Sequence, residues 1–262
     1  MPPQRPWPAP RWLEDLAGAW VFYSVLPLGP WPRPRFERIA RFAPWIGLAI
    51  GAVQGLLWWA SDGRIPVAAQ VALVIALELW LTGGLHMDGA MDTADGLGAG
   101  ERCLEAMADS RVGAAGVQAL VQALLLRSAA LVTLAALAPP AVPAALVAAS
   151  VWGRIAPLVA IEWFPYLRPE AEGTAGFHRR HWRGLGRELR PTLVLWGFWA
   201  GLGAMGAWPW VLWSGVIPAL LVPLGLGRRL GGHSGDSYGA CVEWSASLAL
   251  LLTALLVVLG WA

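Results

Sequence analysis

Long apolar stretches alternate with shorter polar connections along most of the chain. Most of these stretches approach or exceed the roughly 20 residues that a helix needs to cross the hydrocarbon core of a bilayer. We therefore predict an all-α, polytopic integral membrane protein of about seven transmembrane helices, with a single membrane-embedded domain over residues 1–262. The predicted spans cover residues 43–60, 65–85, 112–138, 141–163, 191–208 and 211–227, and a seventh ends near the C-terminus.

Composition supports a membrane protein. Hydrophobic residues make up 57% of the chain and charged residues only 14%, whereas about a quarter of the residues of a typical soluble domain are charged. A further apolar piece, residues 16–28, is too short to span a bilayer comfortably. We predict that it is interfacial or re-entrant.

The basic residues are distributed unevenly between the connections. All 19 are arginines, and sixteen of them fall in residues 1–42, 86–111, 164–190 and 228–237. The turns between the other span ends carry only Arg64. Because cytoplasmic loops are enriched in Lys and Arg, the four segments are predicted to lie together on the cytoplasmic side of the membrane, with the N-terminus.

Acidic residues gather directly after the second predicted span. Asp88, Asp92 and Asp95 have i, i+4 and i+7 spacing, so a helix here places all three carboxylates on one face. Within residues 86–111 there are six acids and two bases, so neighbouring side chains cannot neutralise the group. A divalent cation such as Mg²⁺ can, and it would leave positions open for substrate phosphates.

A second acidic row follows a glycine-rich break in the same connection. Glu101, Glu105 and Asp109 have i, i+4 and i+8 spacing, which predicts a second acidic helix face opposite the first. The alternative for both rows is an ordinary solvated helix face. The arginine-rich loops on the same side of the membrane favour a metal site for a phosphorylated or nucleotide substrate.

Three charged residues lie inside predicted spans, where a charge is costly and usually faces a partner or a cavity. They are Glu78, Arg127 and Arg154. Two hypotheses remain open at this point. Glu78 pairs with one of the arginines, or the three residues form a polar path toward the site.

Three motifs resemble the cobalamin synthase family, the adenosylcobinamide-GDP ribazoletransferases. The sequence reads GLHMDGAMDTADG at residues 84–96, MADSRVG at 107–113 and GGHSGDSYGA at 231–240. The resemblance covers nearly the whole chain, with the motifs in the family's order. His233 departs from the family pattern, in which a smaller or aliphatic residue is expected at that position.

The resemblance implies a Mg²⁺-dependent enzyme of the bacterial inner membrane. Such an enzyme joins adenosylcobinamide-GDP to α-ribazole or its 5'-phosphate and releases GMP. The metal ligands implied here are Asp88, Asp92, Asp95 and Asp109, and a carboxylate (Asp88 or Asp92) or His86 would take the proton of the attacking hydroxyl.

The resemblance also suggests residues that contact substrate. Arginine side chains match the geometry of phosphate oxygens, although positive charge that sets the membrane topology explains Arg228 and Arg229 equally well. Apart from the substrates, the expected partner is the lipid bilayer. We expect no nucleic-acid partner, and a homo-oligomer is left open. The predicted substrate-binding residues are Arg102, Ser110, Arg111, Arg228, Arg229, Ser234 and Asp236.

Two other functions compete with this interpretation. The sequence from Asp92 to Ala99 matches the signature of CDP-alcohol phosphotransferases until Gly100 replaces its arginine, and the later acidic part of that signature is missing. An ion transporter would use the acids as a transport site. Transporters usually place such residues at the bilayer midplane within internal repeats, and no repeat is evident here.

Overall fold

The computed structural model describes residues 9–169, 173–203 and 209–261. Within these ranges the secondary structure is helical, apart from turns and one isolated bridge between Tyr166 and His233. Short 3₁₀ turns cover Ile39–Phe42, Gly100–Arg102, Pro139–Ala141 and Pro209–Trp213. The α-helices are α1 (Arg11–Tyr23), α2 (Ala43–Ser61), α3 (Val67–Thr82), α4 (Leu85–Gly98), α5 (Cys103–Ala106), α6 (Ala114–Leu137), α7 (Val142–Trp163), α8 (Gly173–Arg180), α9 (Leu185–Gly203), α10 (Val216–Leu230) and α11 (Gly235–Val258).

The prediction of an all-α, polytopic membrane protein is confirmed. Among the described residues, five helical segments are long and apolar enough to cross a bilayer, and α3 with α4 qualifies as a sixth only if the bent pair is counted as one. We count α4 outside the spanning segments because it turns away from α3 by 91°. The five segments are Ile39–Ser61, Ala114–Leu137, Pro139–Trp163, Trp210–Leu230 and Gly235–Val258.

Within the described residues five segments, or six with the bent pair, meet the criterion for a span, beside the about seven expected from sequence, and the difference lies in two places. The expected span 65–85 corresponds to α3, which has only 16 residues. The expected span 191–208 falls on α9, whose first turns carry Arg187, Glu188 and Arg190, while residues 204–208 lie outside the described part of the chain. Charges at the start of α9 therefore shorten its apolar length.

Two consecutive glycines produce the bend between α3 and α4. Gly83 and Gly84 have φ angles of 61° and 72°, in the left-handed region that glycine adopts without a steric penalty. Their backbone N–H groups donate to Trp80 and Leu79 carbonyl oxygens, which closes the end of α3. The chain then begins α4 at once in a new direction, so the acidic helix lies across the end of the bundle.

Helix α7 forms the centre of the bundle, and the 18-residue window that identifies it as a span is 83% buried. It packs against α2 on one side and α11 on another. Small residues permit this close approach, since a Cβ added at Gly51 would lie 2.7 Å from the Val147 Cα, and one at Gly153 would lie 2.9 Å from the Val242 carbonyl oxygen. Such contacts are typical of helices that associate within membranes.

A buried network of charges links α3, α6, α7 and α11. Arg127 donates to Glu78 at 3.0 Å and to Glu243 at 2.6 Å, and it also donates to the Ser247 hydroxyl. Arg154 approaches Glu78 at 3.9 Å. The pairing hypothesis for Glu78 is therefore confirmed for Arg127, while Arg154 makes only a long contact.

Helix α1 covers much of the short apolar piece that was expected to be interfacial or re-entrant, and it has only 13 residues. Its buried Asp15 accepts a hydrogen bond of 2.6 Å from Arg41. Arg38 in the same connection donates to Glu188 of α9 at 2.6 Å. These ion pairs fix the N-terminal segment against the end of the bundle where α4 lies.

Replacing Arg127 by Gln tests the importance of the buried network. Glu78 and Glu243 would each lose their closest cation inside the bundle, so we expect the free energy of unfolding to fall by about 3–5 kcal/mol. Thermal or denaturant unfolding of the purified protein in detergent measures this change. Arg64→Gln is the matched control, because Arg64 is exposed and bonds only to the Ala60 carbonyl oxygen. Equal stability of the two variants would contradict the prediction.

Candidate active site

A cavity of about 340 Å³ opens at the end of the bundle where α4 lies. Its lining comes from α1, the start of α2 and the 3₁₀ turn before it, α4, α7, α8, α11 and the connection after α7. The N-terminal segment, the acidic connection, the arginine-rich connection and the loop between α10 and α11 therefore meet at one place. This agrees with the expectation that these four segments share one side of the membrane.

Asp88 and Asp236 are brought together by close packing of α4 against α11. A Cβ added at Gly89 would lie 2.5 Å from the Asp236 carbonyl oxygen, and one at Gly239 would lie 3.0 Å from the His86 carbonyl oxygen. Only glycine leaves room for the two backbones at these positions. As a result, Asp88 and Asp236 both line the cavity although 148 residues separate them in sequence.

The carboxylates on α4 share one helix face, as the sequence spacing predicts. Burial, together with the neighbouring charges of Asp88, Asp236 and Asp95, raises the pKa of Asp92 to about 6. The arginine Arg168 opposes this shift. The group is therefore short of positive charge in the absence of a cation.

Asp236 has a cationic partner that the sequence did not indicate. Arg168, from the connection after α7, donates to its carboxylate at 3.1 Å and also lines the cavity. The Ser234 hydroxyl donates to the same carboxylate oxygen at 3.3 Å. Asp236 is thus held in a fixed position at the entrance of the cavity.

Ser234 and His233 have structural roles in this loop. Ser234 is fully buried and forms a capping box with Ser237 at the start of α11, so its hydroxyl is used in the helix cap. The ring of His233 bonds to the Ser237 hydroxyl and the Pro223 carbonyl oxygen, each at 3.0 Å. The histidine that departs from the family pattern joins the middle of α10 to the first turn of α11, and burial lowers its pKa to about 4.

Asp95 points away from the cavity toward the start of α6. Its two carboxylate oxygens accept hydrogen bonds of 2.8 Å from the backbone N–H groups of Gly113 and Gly116. These are N–H groups that the first turn of a helix cannot satisfy internally. Asp95 therefore caps α6, and its capacity to bind a metal is reduced by these two bonds.

Asp109 lies outside the group that lines the cavity. It accepts several hydrogen bonds from Arg111, the shortest at 2.6 Å. These bonds lower the pKa of Asp109 to about 2, and the Arg111 side chain is 88% exposed. The structure does not bring this residue together with Asp88 and Asp92.

The expectation of a second acidic helix face is wrong. Glu101 lies in a 3₁₀ turn, Glu105 in the four-residue helix α5, and Asp109 in the following turn. Gly100, with a φ of 61°, begins a new chain direction that interrupts the helical spacing. The five remaining predicted substrate contacts are exposed and do not line the cavity: Arg102, Ser110, Arg111, Arg228 and Arg229.

His86 lines the cavity and is only 5% exposed. Burial lowers its pKa well below the usual value, and the nearby cations Arg154 and Arg127 lower it further. The imidazole is therefore neutral at pH 7. Its Nδ1 has no hydrogen-bond partner, and its ring stacks on Tyr23 with centroids 6.1 Å apart. A neutral imidazole at the cavity wall can accept a proton from a bound hydroxyl.

Sequence reasoning missed several residues that line the cavity. Arg168 and His178 lie in a connection without a recognisable motif, and Tyr23, Tyr166 and Tyr238 come from three separate segments. Arg154 alone gave a signal, because a charge inside a predicted span is expected to face a partner or a cavity. His178 is 7% exposed and packs edge-on against Phe22.

The carboxylates fit a Mg²⁺ ion that shares its coordination with a substrate. No group of three or more His, Cys, Asp and Glu side chains is arranged to hold a metal on its own within the described residues. Mg²⁺, however, is usually held by one or two carboxylates together with substrate phosphates and water. Asp88 and Asp236 in the cavity lining, with Asp92 near them, supply that number of carboxylates, and their mutual repulsion adds to the effect of burial in raising the pKa of Asp92.

The fold and the site define a polytopic helical membrane protein with a carboxylate-lined cavity at one end of its bundle. The family model described as cobalamin-5-phosphate synthase matches residues 15–254. The chain belongs to the cobalamin-5-phosphate synthase family, and the resemblance drawn from its motifs is confirmed.

Curated relatives agree with this assignment along nearly the full length. The relatives are named adenosylcobinamide-GDP ribazoletransferase. The one from Prochlorococcus marinus (strain MIT 9313) is 54% identical to this chain, over 96% of this chain and 99% of the relative. The relative in Thermosynechococcus vestitus is 42% identical over 92% and 95%, and that in Trichormus variabilis 38% over 93% and 98%. No solved structure matches the chain.

Asparagine substitutions at Asp95 and Asp92 should have different effects on the stability of the metal-free protein. Asp95→Asn weakens the cap of α6, so we expect the free energy of unfolding to fall by about 1 kcal/mol. Asp92→Asn removes a carboxylate that its neighbours repel, so stability should stay equal or rise at pH 7. In the wild type this repulsion destabilises the fold as the pH rises toward 6, because the folded state holds the Asp92 proton more tightly than the unfolded chain does.

Unfolding of both variants in detergent with a chelator present, at pH 7 and near pH 5, measures these effects. Ser110→Ala serves as a control at an exposed position. A loss of stability in Asp92→Asn equal to that in Asp95→Asn would contradict the separate roles.

Proposed function

We propose that this protein joins adenosylcobinamide-GDP to α-ribazole or its 5'-phosphate, with release of GMP, in a Mg²⁺-dependent reaction. Membership of the family and the printed names of the curated relatives support the reaction. The observation that carries the proposal is the cavity in which Asp88, Asp236, His86 and Arg168 converge. An ion transporter is disfavoured because these residues lie at one end of the bundle.

The proposed reaction breaks the phosphoanhydride bond of the donor and forms a phosphodiester bond to the acceptor. A ribose hydroxyl of the ribazole attacks the phosphorus atom attached to the cobinamide side. The bond between that phosphorus and the oxygen of GMP breaks, and the hydroxyl proton passes to a base on the enzyme. The reaction needs neither an oxidant nor a reductant, and the active site must position the two substrates and balance the charge on the phosphates.

Asp88, Asp92 and Asp236 are the residues proposed to hold Mg²⁺. When bound, the ion would supply positive charge to the diphosphate and to the leaving phosphate. Arg168 donates to Asp236 and keeps that carboxylate oriented toward the entrance. Asp95 and Asp109 were expected from sequence to be ligands as well, but their bonds to the start of α6 and to Arg111 favour structural roles.

His86 is proposed as the base that accepts the hydroxyl proton. Its neutral imidazole lines the cavity, and its Nδ1 is free of other hydrogen bonds. A carboxylate of Asp88 is the alternative, but a carboxylate that coordinates a cation is a weaker base. If His86 is the base, its loss should reduce the rate while Mg²⁺ still binds. If Asp88 is the base, loss of His86 should not have this effect.

The site is proposed to face the cytoplasm from the bacterial inner membrane. The arginine-rich segments are those that meet at the cavity, and cytoplasmic loops are enriched in such residues. Both proposed substrates are polar and charged, so access from an aqueous compartment suits them. The exposed Arg228 and Arg229 at the end of α10 would then lie near the anionic surface of the membrane.

Release of GMP by the purified protein in detergent or lipid tests the proposed reaction. With adenosylcobinamide-GDP, α-ribazole phosphate and Mg²⁺, we expect GMP and a cobalamin product in equal amounts. We expect Asp92→Asn and Asp236→Asn each to reduce kcat by about 100-fold or more, because each removes charge that stabilises the transition state. Asp109→Asn is the matched control and should keep most of the activity. Undiminished activity in Asp92→Asn would retain the family but place the metal elsewhere.

The substitution His86→Gln tests the proposed base. We expect kcat to fall by about 10²- to 10⁴-fold, while the Mg²⁺ concentration that gives half-maximal activity stays within about 3-fold of the wild type. His181→Gln is the control, because Nδ1 of His181 is hydrogen-bonded to the Phe177 carbonyl oxygen and the residue does not line the cavity. An unchanged kcat in His86→Gln would assign the proton to a carboxylate.

A further inference from the structure

The cavity is lined by chemically different groups. Of its charged lining residues, Asp88 is exposed and Asp236 partly exposed, whereas Arg154 is fully buried. The aromatic side chains of Phe22, Tyr23 and Tyr166 line the same cavity. A ligand with an anionic group, an aromatic ring and a free hydroxyl would match these surfaces.

The volume of the cavity separates the two substrates of the proposed reaction. Pockets of about 300–1,000 Å³ enclose molecules of ordinary drug size. The cavity of about 340 Å³ can hold a nucleoside or nucleotide. A corrinoid that carries a nucleotide is several times larger and must lie mainly outside, so the space inside belongs to the smaller substrate.

Arg154 is fully buried and has unused hydrogen-bond donors. Its Nη1 donates to the Ser150 carbonyl oxygen at 3.0 Å, whereas its Nε and Nη2 have no partner. A buried guanidinium with unsatisfied donors is costly. The two free nitrogens lie on one edge of the guanidinium plane and form the fork that matches two oxygens of a phosphate.

Neighbouring carboxylates leave Arg154 available to an anion. Arg127 takes the close contacts to both Glu78 and Glu243, at 3.0 and 2.6 Å. Arg154 lies 3.9 Å from Glu78 through the nitrogen that already bonds to Ser150. The Nε and Nη2 edge of its guanidinium therefore has no carboxylate in hydrogen-bond contact, and Arg154 is one of the residues that line the cavity.

We propose that this cavity binds the acceptor as a nucleoside monophosphate and that Arg154 binds its phosphate. The sugar hydroxyl then lies toward His86 and Asp88, and the base packs among the aromatic side chains. This proposal rests on the proposed function: the family description already names a cobalamin 5-phosphate as the product, and Arg154 is the residue assigned here to that phosphate. Arg154 is thereby a residue that determines specificity, and the polar path considered from the sequence ends in a substrate contact.

Binding without the second substrate tests this proposal directly. Isothermal titration of the full chain in detergent with α-ribazole 5'-phosphate and with α-ribazole measures both affinities. We expect the wild type to bind the phosphorylated form about 10- to 100-fold more tightly, the range expected for charge-assisted hydrogen bonds. Arg154→Gln should reduce this preference to less than about 3-fold, mainly by weakening binding of the phosphorylated form.

Two further variants keep the test decisive if Arg154→Gln folds poorly. Arg154→Lys retains the charge and loses the fork, so the preference should fall by a smaller factor. Ala175→Leu narrows the cavity from helix α8, away from the buried charges, and should weaken both ligands while leaving their ratio unchanged. Arg64→Gln is the control for the loss of an arginine elsewhere and should bind as the wild type does.

The outcomes separate this proposal from the proposed function. Equal affinity of the wild type for both ligands, or equal weakening of both ligands in the Arg154 variants, would overturn the role of Arg154. In either case GMP release could still occur, and the reaction would stand. If instead the Arg154 variants raise KM for adenosylcobinamide-GDP and leave acceptor binding intact, the arginine serves the donor phosphates and the proposal fails.

Discussion

The close contact between α4 and α11 is the constraint on which the site depends. The left-handed glycines Gly83 and Gly84 turn the chain by 91° at the end of α3, and Gly89 and Gly239 then allow the two helix backbones to approach. Without this contact the helices that carry Asp88 and Asp236 would lie apart, and the two carboxylates would not line one cavity. The glycines of the two motifs therefore determine how closely the carboxylates of Asp88 and Asp236 approach each other.

Sequence reasoning predicted the helical membrane fold, the helix that carries Asp88 and Asp92, and the family, because each leaves a local signal. Apolar stretches reveal spans, and i, i+4, i+7 spacing reveals a shared helix face. Asp95 shows the limit of such spacing. It lies on the same face as the other two, but it has a partner at the start of α6 that the spacing cannot indicate.

The remaining parts of the site depend on contacts between distant segments. Arg168 reaches Asp236 across 68 positions, and no motif surrounds it in the sequence. The row Glu101, Glu105, Asp109 has helical spacing, but Gly100 and the short turns after it break the helix. The cavity arises from the packing of six helices, which a pattern along one of them cannot show.

The shortness of α3 has a consequence for the bilayer around the protein. Its 16 residues extend about 24 Å at 1.5 Å per residue, against a hydrocarbon core of about 30 Å. A helix shorter than the core is accommodated by local thinning of the lipid. Were α3 to cross the bilayer, such thinning beside it would bring the water interface closer to α4 and its carboxylates than a membrane of uniform thickness would.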